Sequence, residues 1–336
     1  MESQLRWGII SVGRISNDFV TALKILPASE HKIVAVAARN LEAAKEFGHK
    51  HNIAKCFDNY EELIKDPDVE AVYIGSINPQ HFPLAKLAIS HGKNVLCEKP
   101  LCMNLKETLS LVEFAKQKDV FLMEAIWSRF FPAYAKLREE LKKDTVGEVL
   151  QVFASLGCPV SEFDNCRLKS LGGGSLLNIG VYCVQFATLV FPEERPEKIV
   201  ASGHLNSDGV DESISIILTY KGGRTATLIS HNRVELMNEA CIIGTKGILK
   251  LPAMFVCPNA LITPTETLNF PLPAALPGST FNYPRSEALS YEAQETRKCI
   301  KNGLKESPEM KLSESVLIAE IMQTARKQLG VSYDQD

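Results

Sequence analysis

Four stretches of this chain carry residue types and spacings that could do chemistry. The first, Gly8-Ile9-Ile10-Ser11-Val12-Gly13-Arg14-Ile15-Ser16, reads as a strand that turns into a helix. A dinucleotide fingerprint asks there for Gly-x-Gly-x-x-Gly/Ala; this chain offers Ser11-x-Gly13-x-x-Ser16, with the central glycine alone in place. Gly13 would let the backbone approach a pyrophosphate, and the helix N-terminus behind it supplies positive dipole. Ser11, Arg14 and Ile15 flank that approach. The second stretch is Ala37-Ala38-Arg39-Asn40, at the end of the next apolar run. An NAD-preferring site usually has a carboxylate there to hold the ribose hydroxyls, whereas Arg39 could pair bidentately with a 2′-phosphate, which favours NADP. A solvated arginine at a helix start would read the same way.

The third stretch is Cys97-Glu98-Lys99-Pro100. A charged pair on a strand that should be buried conflicts with its surroundings, and such conflicts mark functional sites. Pro100 ends the ladder, so a wet turn is the plain alternative. Lys99 falls where open α/β sheets bind their ligands, at a strand's carboxyl end. The fourth stretch is Gly172-Gly173-Gly174-Ser175 followed by an apolar run through Phe186. Ser175 is a usable N-cap, and Asn178, Tyr182 and Gln185 at i, i+4 and i+7 share one helix face. The other sides are apolar, so the helix is buried and its polar stripe faces something other than bulk water. A half-buried helix with a narrow wet edge is the alternative.

The elements that must position these residues follow two grammars. Residues 5 to 125 alternate short apolar strands (Trp7–Ser11, Ile33–Ala38, Ala71–Gly75, Asn94–Cys97, Val120–Glu124) with helical patterns near 15–26, 42–50, 59–65, 80–91 and 105–118. That alternation predicts an α/β domain with a doubly wound parallel sheet. After residue 125 it stops. A helix ends near Lys143, and strand-like runs follow at Val149–Leu156, Lys198–Ser202, Ser213–Tyr220, Thr225–Ser230, Ala240–Gly244 and Ile248–Leu251. With few helices between them they predict a separate α+β domain, 126–336, built on an open, mainly antiparallel sheet. Residues 220–224 and 244–247 look like hairpin turns, 252–285 like an irregular loop, and Glu287–Lys301 and Ser313–Leu329 like closing helices.

Composition bounds the function classes. The chain has 336 residues, 45% of them apolar and 23% charged, with a net charge of −3. That length suits two domains, and the charge makes no case for nucleic acid or an anionic membrane. No apolar secretory core is expected at the start, and no run of ~18 uninterrupted apolar residues that would span a bilayer. Nine scattered cysteines without a Cys-x-x-Cys pair read as free thiols in a reducing compartment, the cytosol, with neither a disulfide frame nor a metal site.

Taken in order, the first strand–turn, Asn78-Pro79-x-His81, Gly92-Lys93-x-Val95-x-Cys97-Glu98-Lys99-Pro100, and Arg167-Leu168 before the triple glycine resemble the glucose–fructose oxidoreductase / inositol dehydrogenase / MocA family over nearly the whole chain. Leu122–Pro132 and Gly180–Phe186 look most like a dimeric, NADP-dependent branch that oxidises cyclic diols or aldoses such as D-xylose. The resemblance implies a Rossmann domain over 1–125 and a substrate-binding and oligomerisation domain over 126–336. It implies Lys99 between nicotinamide and substrate, Tyr182 as proton carrier, and Tyr73, His81 and Glu98 at the coenzyme. Oxidising an alcohol by hydride transfer requires removal of its hydroxyl proton. A phenol ionises near pH 10, too high at neutrality, and a nearby lysine cation lowers that value. Trp127 and Phe281 are candidate walls for the substrate, or core. One departure stands out: Asn178 replaces the family's aspartate and cannot carry charge or act as a base. Two readings follow, an NADP-dependent dehydrogenase working as a homodimer, or an NADP-binding protein with a sensing or structural role.

Overall fold

The computed structural model describes residues 4–336. The chain gathers into two compact units. One is built from Met1–Leu101, Leu109–Trp127 and Leu272–Leu312, the other from Cys102–Thr108, Ser128–Pro271 and Ser313–Asp336. The changeover expected after residue 125 is thus one of several crossings.

The first unit holds strands β1 (Leu5–Ile10), β2 (His31–Ala37), β3 (Lys55–Phe57), β4 (Ala71–Ile74), β5 (Asn94–Glu98) and β6 (Leu122–Ala125). The intervening helices are α1 (Arg14–Leu23), α2 (Leu41–His51), α3 (Tyr60–Lys65), α4 (His81–Ser90) and α5 (Leu105–Lys118). The strands pair in parallel in the order β3-β2-β1-β4-β5-β6. Every residue of β4 and β6 is buried, as expected of a parallel sheet covered on both faces. The order reverses at β1, so the carboxyl ends of β1 and β4 form the switch point where such sheets bind ligands. The five expected strands are all present with shifted ends. β3 is additional, since three half-buried residues are too short to show a period.

The second unit contains α6 (Pro132–Lys142), a short α7 (Asp164–Arg167), α8 (Val181–Val190) and an eight-stranded sheet. Its strands are β7 (Val149–Gly157), β8 (Lys198–Leu205), β9 (Asp211–Thr219), β10 (Thr225–His231), β11 (Ala240–Gly244), β12 (Gly247–Leu251), β13 (Ala260–Ile262) and β14 (Thr267–Asn269). The order is β14-β13-β12-β11-β7-β10-β9-β8, antiparallel except for β7 beside β10. Both expected hairpins form, Thr219 opposite Thr225 and Gly244 opposite Gly247. The loop expected over 252–285 is irregular only in part, because it contributes β13 and β14 at the sheet's edge. Helices α9 (Leu289–Lys301) and α10 (Leu312–Gln328) close the chain. Helix α9 belongs to the first unit, packed on α1.

The glycine-led segment departs most from the sequence reading. A five-residue π-helical turn, Leu176–Gly180, precedes α8, and Ser175 is already helical at φ −66°, ψ −37°. Its hydroxyl does not cap; it donates to Asp211 Oδ2 at 2.9 Å and lies 3.0 Å from Ser230 Oγ. Asp211 instead takes the Leu176 amide at 2.7 Å, so the cap comes from β9. Gly174, at φ +117°, needs to be glycine, since a Cβ would reach within 2.6 Å of Asp211 Oδ1. The run 169–190 is apolar and long enough to pass for a bilayer span, but most of it is buried inside this unit, as a core helix is.

Candidate active site

In the first unit the turn after β1 is shaped for a phosphate. Ser11 takes the left-handed conformation at φ +78°, where the fingerprint's first glycine would sit. Gly13 is exposed, and a Cβ on it would meet only Gly75 O at 3.6 Å and Ser11 Oγ at 3.9 Å. Nothing in the protein's own packing demands glycine there, so the open face suits a ligand that approaches the backbone. No side chain caps α1, which leaves its first-turn amides to an anion; Arg14 is exposed beside them and Ile15 is half-buried. The third glycine of the fingerprint has changed sides. Ser16 is buried, and it is Gly75 at the end of β4 that gives it room, because a Cβ there would run into the Ser16 hydroxyl.

Arg39 follows β2, exposed, with no hydrogen-bond or ion-pair partner among the described residues. Asn40 caps α2 through the Glu42 and Ala43 amides and fixes where the guanidinium starts. These features together fit a dinucleotide: an open glycine turn, an uncapped helix and a guanidinium available at the second strand.

Tyr73, His81 and Glu98 lie beneath this surface. Tyr73 is fully buried, its ring stacked on Phe19 at 3.8 Å, and its hydroxyl donates to Glu98 Oε1 at 2.7 Å. Glu98 also accepts the Lys99 amide at 3.2 Å. Burial pushes the Glu98 carboxyl above its ordinary range, with the Lys99 cation pulling the other way. His81 is buried with Nδ1 at 2.7 Å from Pro100 O and Nε2 at 3.0 Å from Ser76 O. Burial holds its pKa down despite those two carbonyls. It therefore ties the turn after β4 to the turn after β5, and its nitrogens are not presented to a ligand. Lys99 is half-buried at the end of β5, across a cis bond to Pro100.

Phe281 and Trp127 are half-buried in the first unit. Phe281 sits on a segment latched to α1, a feature that the sequence reading missed. The fully buried Asp18 carboxylate accepts the Asn282 amide at 2.8 and 2.9 Å and the Tyr283 amide at 2.9 Å. The only local signal was an aspartate on the buried side of a helix, with its partners 264 residues away.

The second unit carries Asn178 and Tyr182. Asn178 Nδ2 donates to Gly174 O at 2.9 Å, with Gly172 O and Asn165 O at 3.4 Å, so its amide clasps the glycine loop. Tyr182 is half-buried in the first turn of α8, its position relative to Asn178 set by the π turn. Gln185 leaves the expected stripe. It is fully buried, accepting from Arg129 Nε at 2.6 Å and donating to Tyr134 Oη at 3.2 Å, while Arg129 pairs with Glu314 at 2.6 Å. This buried network is structural, and removal of one of its charges would cost about 3–5 kcal/mol.

A doubly wound sheet with an open phosphate turn at its switch point, joined to a second unit on an open mixed sheet, defines an NAD(P)-binding oxidoreductase. The chain belongs to the Gfo/Idh/MocA family: residues 5–126 match the oxidoreductase family with NAD-binding Rossmann fold, and residues 134–250 match the GFO/IDH/MocA C-terminal domain. It is 47% identical over 328 residues to trans-1,2-dihydrobenzene-1,2-diol dehydrogenase of Xenopus tropicalis, covering 98% of this chain and 99% of the relative. To the enzyme of that name from Homo sapiens it is 44% identical over 332 residues, 99% of each chain. Its fold matches levoglucosan dehydrogenase in complex with NADH and levoglucosan at a TM-score of 0.82, 20% identity and 98% coverage of both chains. It also matches a 3-ketoreductase from Actinomadura kijaniata in complex with NADP at a TM-score of 0.80 and 24% identity, covering 97% and 98%.

Proposed function

We propose that this chain is an NADP-dependent dehydrogenase that oxidises a cyclic trans-diol to a catechol, or an aldose such as D-xylose to its lactone. The observation that carries the reading is the end-to-end identity, 44% to 47%, with relatives named for the dihydrodiol reaction. The unpartnered Arg39 at the second strand supports NADP over NAD. When bound, the dinucleotide supplies the hydride acceptor. The chain's part is the proton. Tyr182 takes the substrate's hydroxyl proton, and the Lys99 cation favours the phenolate that does so, a contribution on the order of 10²–10⁴ in rate. Trp127 and Phe281 wall the apolar face of the substrate, and Asn178 holds the loop before Tyr182. We place the enzyme in the cytosol, where its nine thiols, all free, stay reduced; cell fractionation checks this.

The test is a steady-state assay of the wild type and Arg39→Ala with NADP⁺ and NAD⁺, offering the dihydrodiol and D-xylose. The wild type should reduce NADP⁺ preferentially, and the substitution should raise KM for NADP⁺ tenfold or more while leaving NAD⁺ within about twofold. Equal effects on the two nucleotides would remove the 2′-phosphate role; no turnover of either substrate would remove the substrate assignment.

A further inference from the structure

Glu292 has no part in the chemistry above. It lies on α9 in the first unit, fully buried, and neither carboxylate oxygen has a hydrogen-bond partner among the described residues. An ionised carboxylate in that state carries a heavy desolvation penalty, which a proton removes. Its charged neighbour is Glu98. Glu98 is only 6% exposed, and it receives two donors, the Tyr73 hydroxyl and the Lys99 amide, an arrangement suited to its ionised form. The two carboxyls feel each other, and burial raises both, Glu292 the further. The titratable groups around the pair are Tyr73 on β4, and Cys97, Glu98 and Lys99 on β5 with its following turn. Helix α1, which packs on α9, carries Asp18, whose carboxylate is taken up by Asn282 and Tyr283.

We propose that Glu98 and Glu292 hold one proton between them, resident on Glu292, and that it leaves when positive charge arrives at the carboxyl end of β5 and returns when that charge is lost. The proposal rests on the dinucleotide reading, since the oxidised nicotinamide ring is cationic and the reduced ring is neutral. The exchange is a simple ionisation: the carboxyl O–H breaks, its electron pair stays on Glu292, and the proton passes to solvent buffer. Two carboxyls that share a site titrate as a pair, so a charge beside one is felt by both. Glu98, next in sequence to Lys99, conveys the charge at the strand end to the buried partner.

Two measurements test this. Isotope-edited infrared spectra at pH 7 should show a protonated-carboxyl stretch in the wild type that disappears in Glu292→Gln; a wild type without that band overturns the shared proton. Calorimetric titrations with NADP⁺ and NADPH, in buffers of differing ionisation enthalpy, count protons released on binding. Both nucleotides carry the same 2′-phosphate, so the difference between them reports the ring's charge. NADP⁺ should release up to one proton more than NADPH, its affinity relative to NADPH rising by up to about tenfold per pH unit. Equal counts in the wild type, or a difference that persists in Glu292→Gln, overturn the coupling. Binding of neither nucleotide overturns the dinucleotide reading and with it the coupling, while the infrared band still decides the shared proton.

Discussion

Asn178 donates its amide to the carbonyl of Gly174 and lies within 3.4 Å of two further carbonyls. The family's aspartate at this position could donate to none of them when ionised. The sequence reading marks Asn178 as a lost charge; its bonds describe a donor that the loop depends on. Asn178→Asp should therefore lower stability by about 1–3 kcal/mol, the cost of leaving buried acceptors facing a carboxylate, without raising kcat. Urea denaturation and steady-state kinetics on the same preparation check both halves. A variant of unchanged stability and higher turnover would contradict this account of the residue. Tyr73 and His81 carry a similar lesson. Read as coenzyme contacts, they act from below by holding Glu98 and the two turns that bear the surface.

At the scale of elements, the glycine loop and α8 hang on Asp211. Burial lifts this carboxyl to about 6, opposed by the Leu176 amide and the Ser175 hydroxyl. As pH rises past ~4 the unfolded chain ionises here while the folded chain stays protonated up to about 6. The folded state binds more protons across that window, so this group's contribution falls with rising pH, by roughly 3 kcal/mol in all. Asp211→Asn should flatten that fall in denaturation curves collected between pH 4 and 7; an unchanged slope would show that the stability change comes from elsewhere. The strand–helix alternation, the broken fingerprint, Arg39 and the Glu98-Lys99 conflict were legible because each is written within a few neighbouring residues. The Ser175 cap was misread because its acceptor arrives 36 residues later on β9. β13 and β14 were hidden by prolines and a length of three residues each. The return of 272–312 to the first unit rests on contacts such as Asp18 with Asn282, which no local pattern can announce.

At the scale of the whole molecule, the second sheet is covered by α8 on one face, against β7, β10 and β11. The opposite face carries a register-matched row, Val200, Ile217, Thr227, Phe153 and Cys241, beside the outward Ile243–Ile248 pair. Val200, Ile217 and Ile248 are 44–47% exposed in the single chain, an apolar strip that suits burial against a second copy. The homodimer expected from the family resemblance would use this face. Analytical ultracentrifugation should find a dimer at micromolar concentration, and Ile217→Glu should shift it to monomer because a charge then lies within the apolar strip. A wild-type monomer, or a dimer indifferent to that substitution, would place the contact elsewhere or remove it.

The central claim is that Tyr182 handles the substrate's proton. The most direct measurement compares kcat of the wild type and Tyr182→Phe for NADPH formation from the dihydrodiol and from D-xylose, with NADPH affinity measured in parallel. The account predicts a fall in kcat on the order of 10²–10⁴ with affinity kept within about twofold, since the phenol acts on the reacting hydroxyl and not on nucleotide binding. A variant that keeps more than a tenth of wild-type kcat would contradict it.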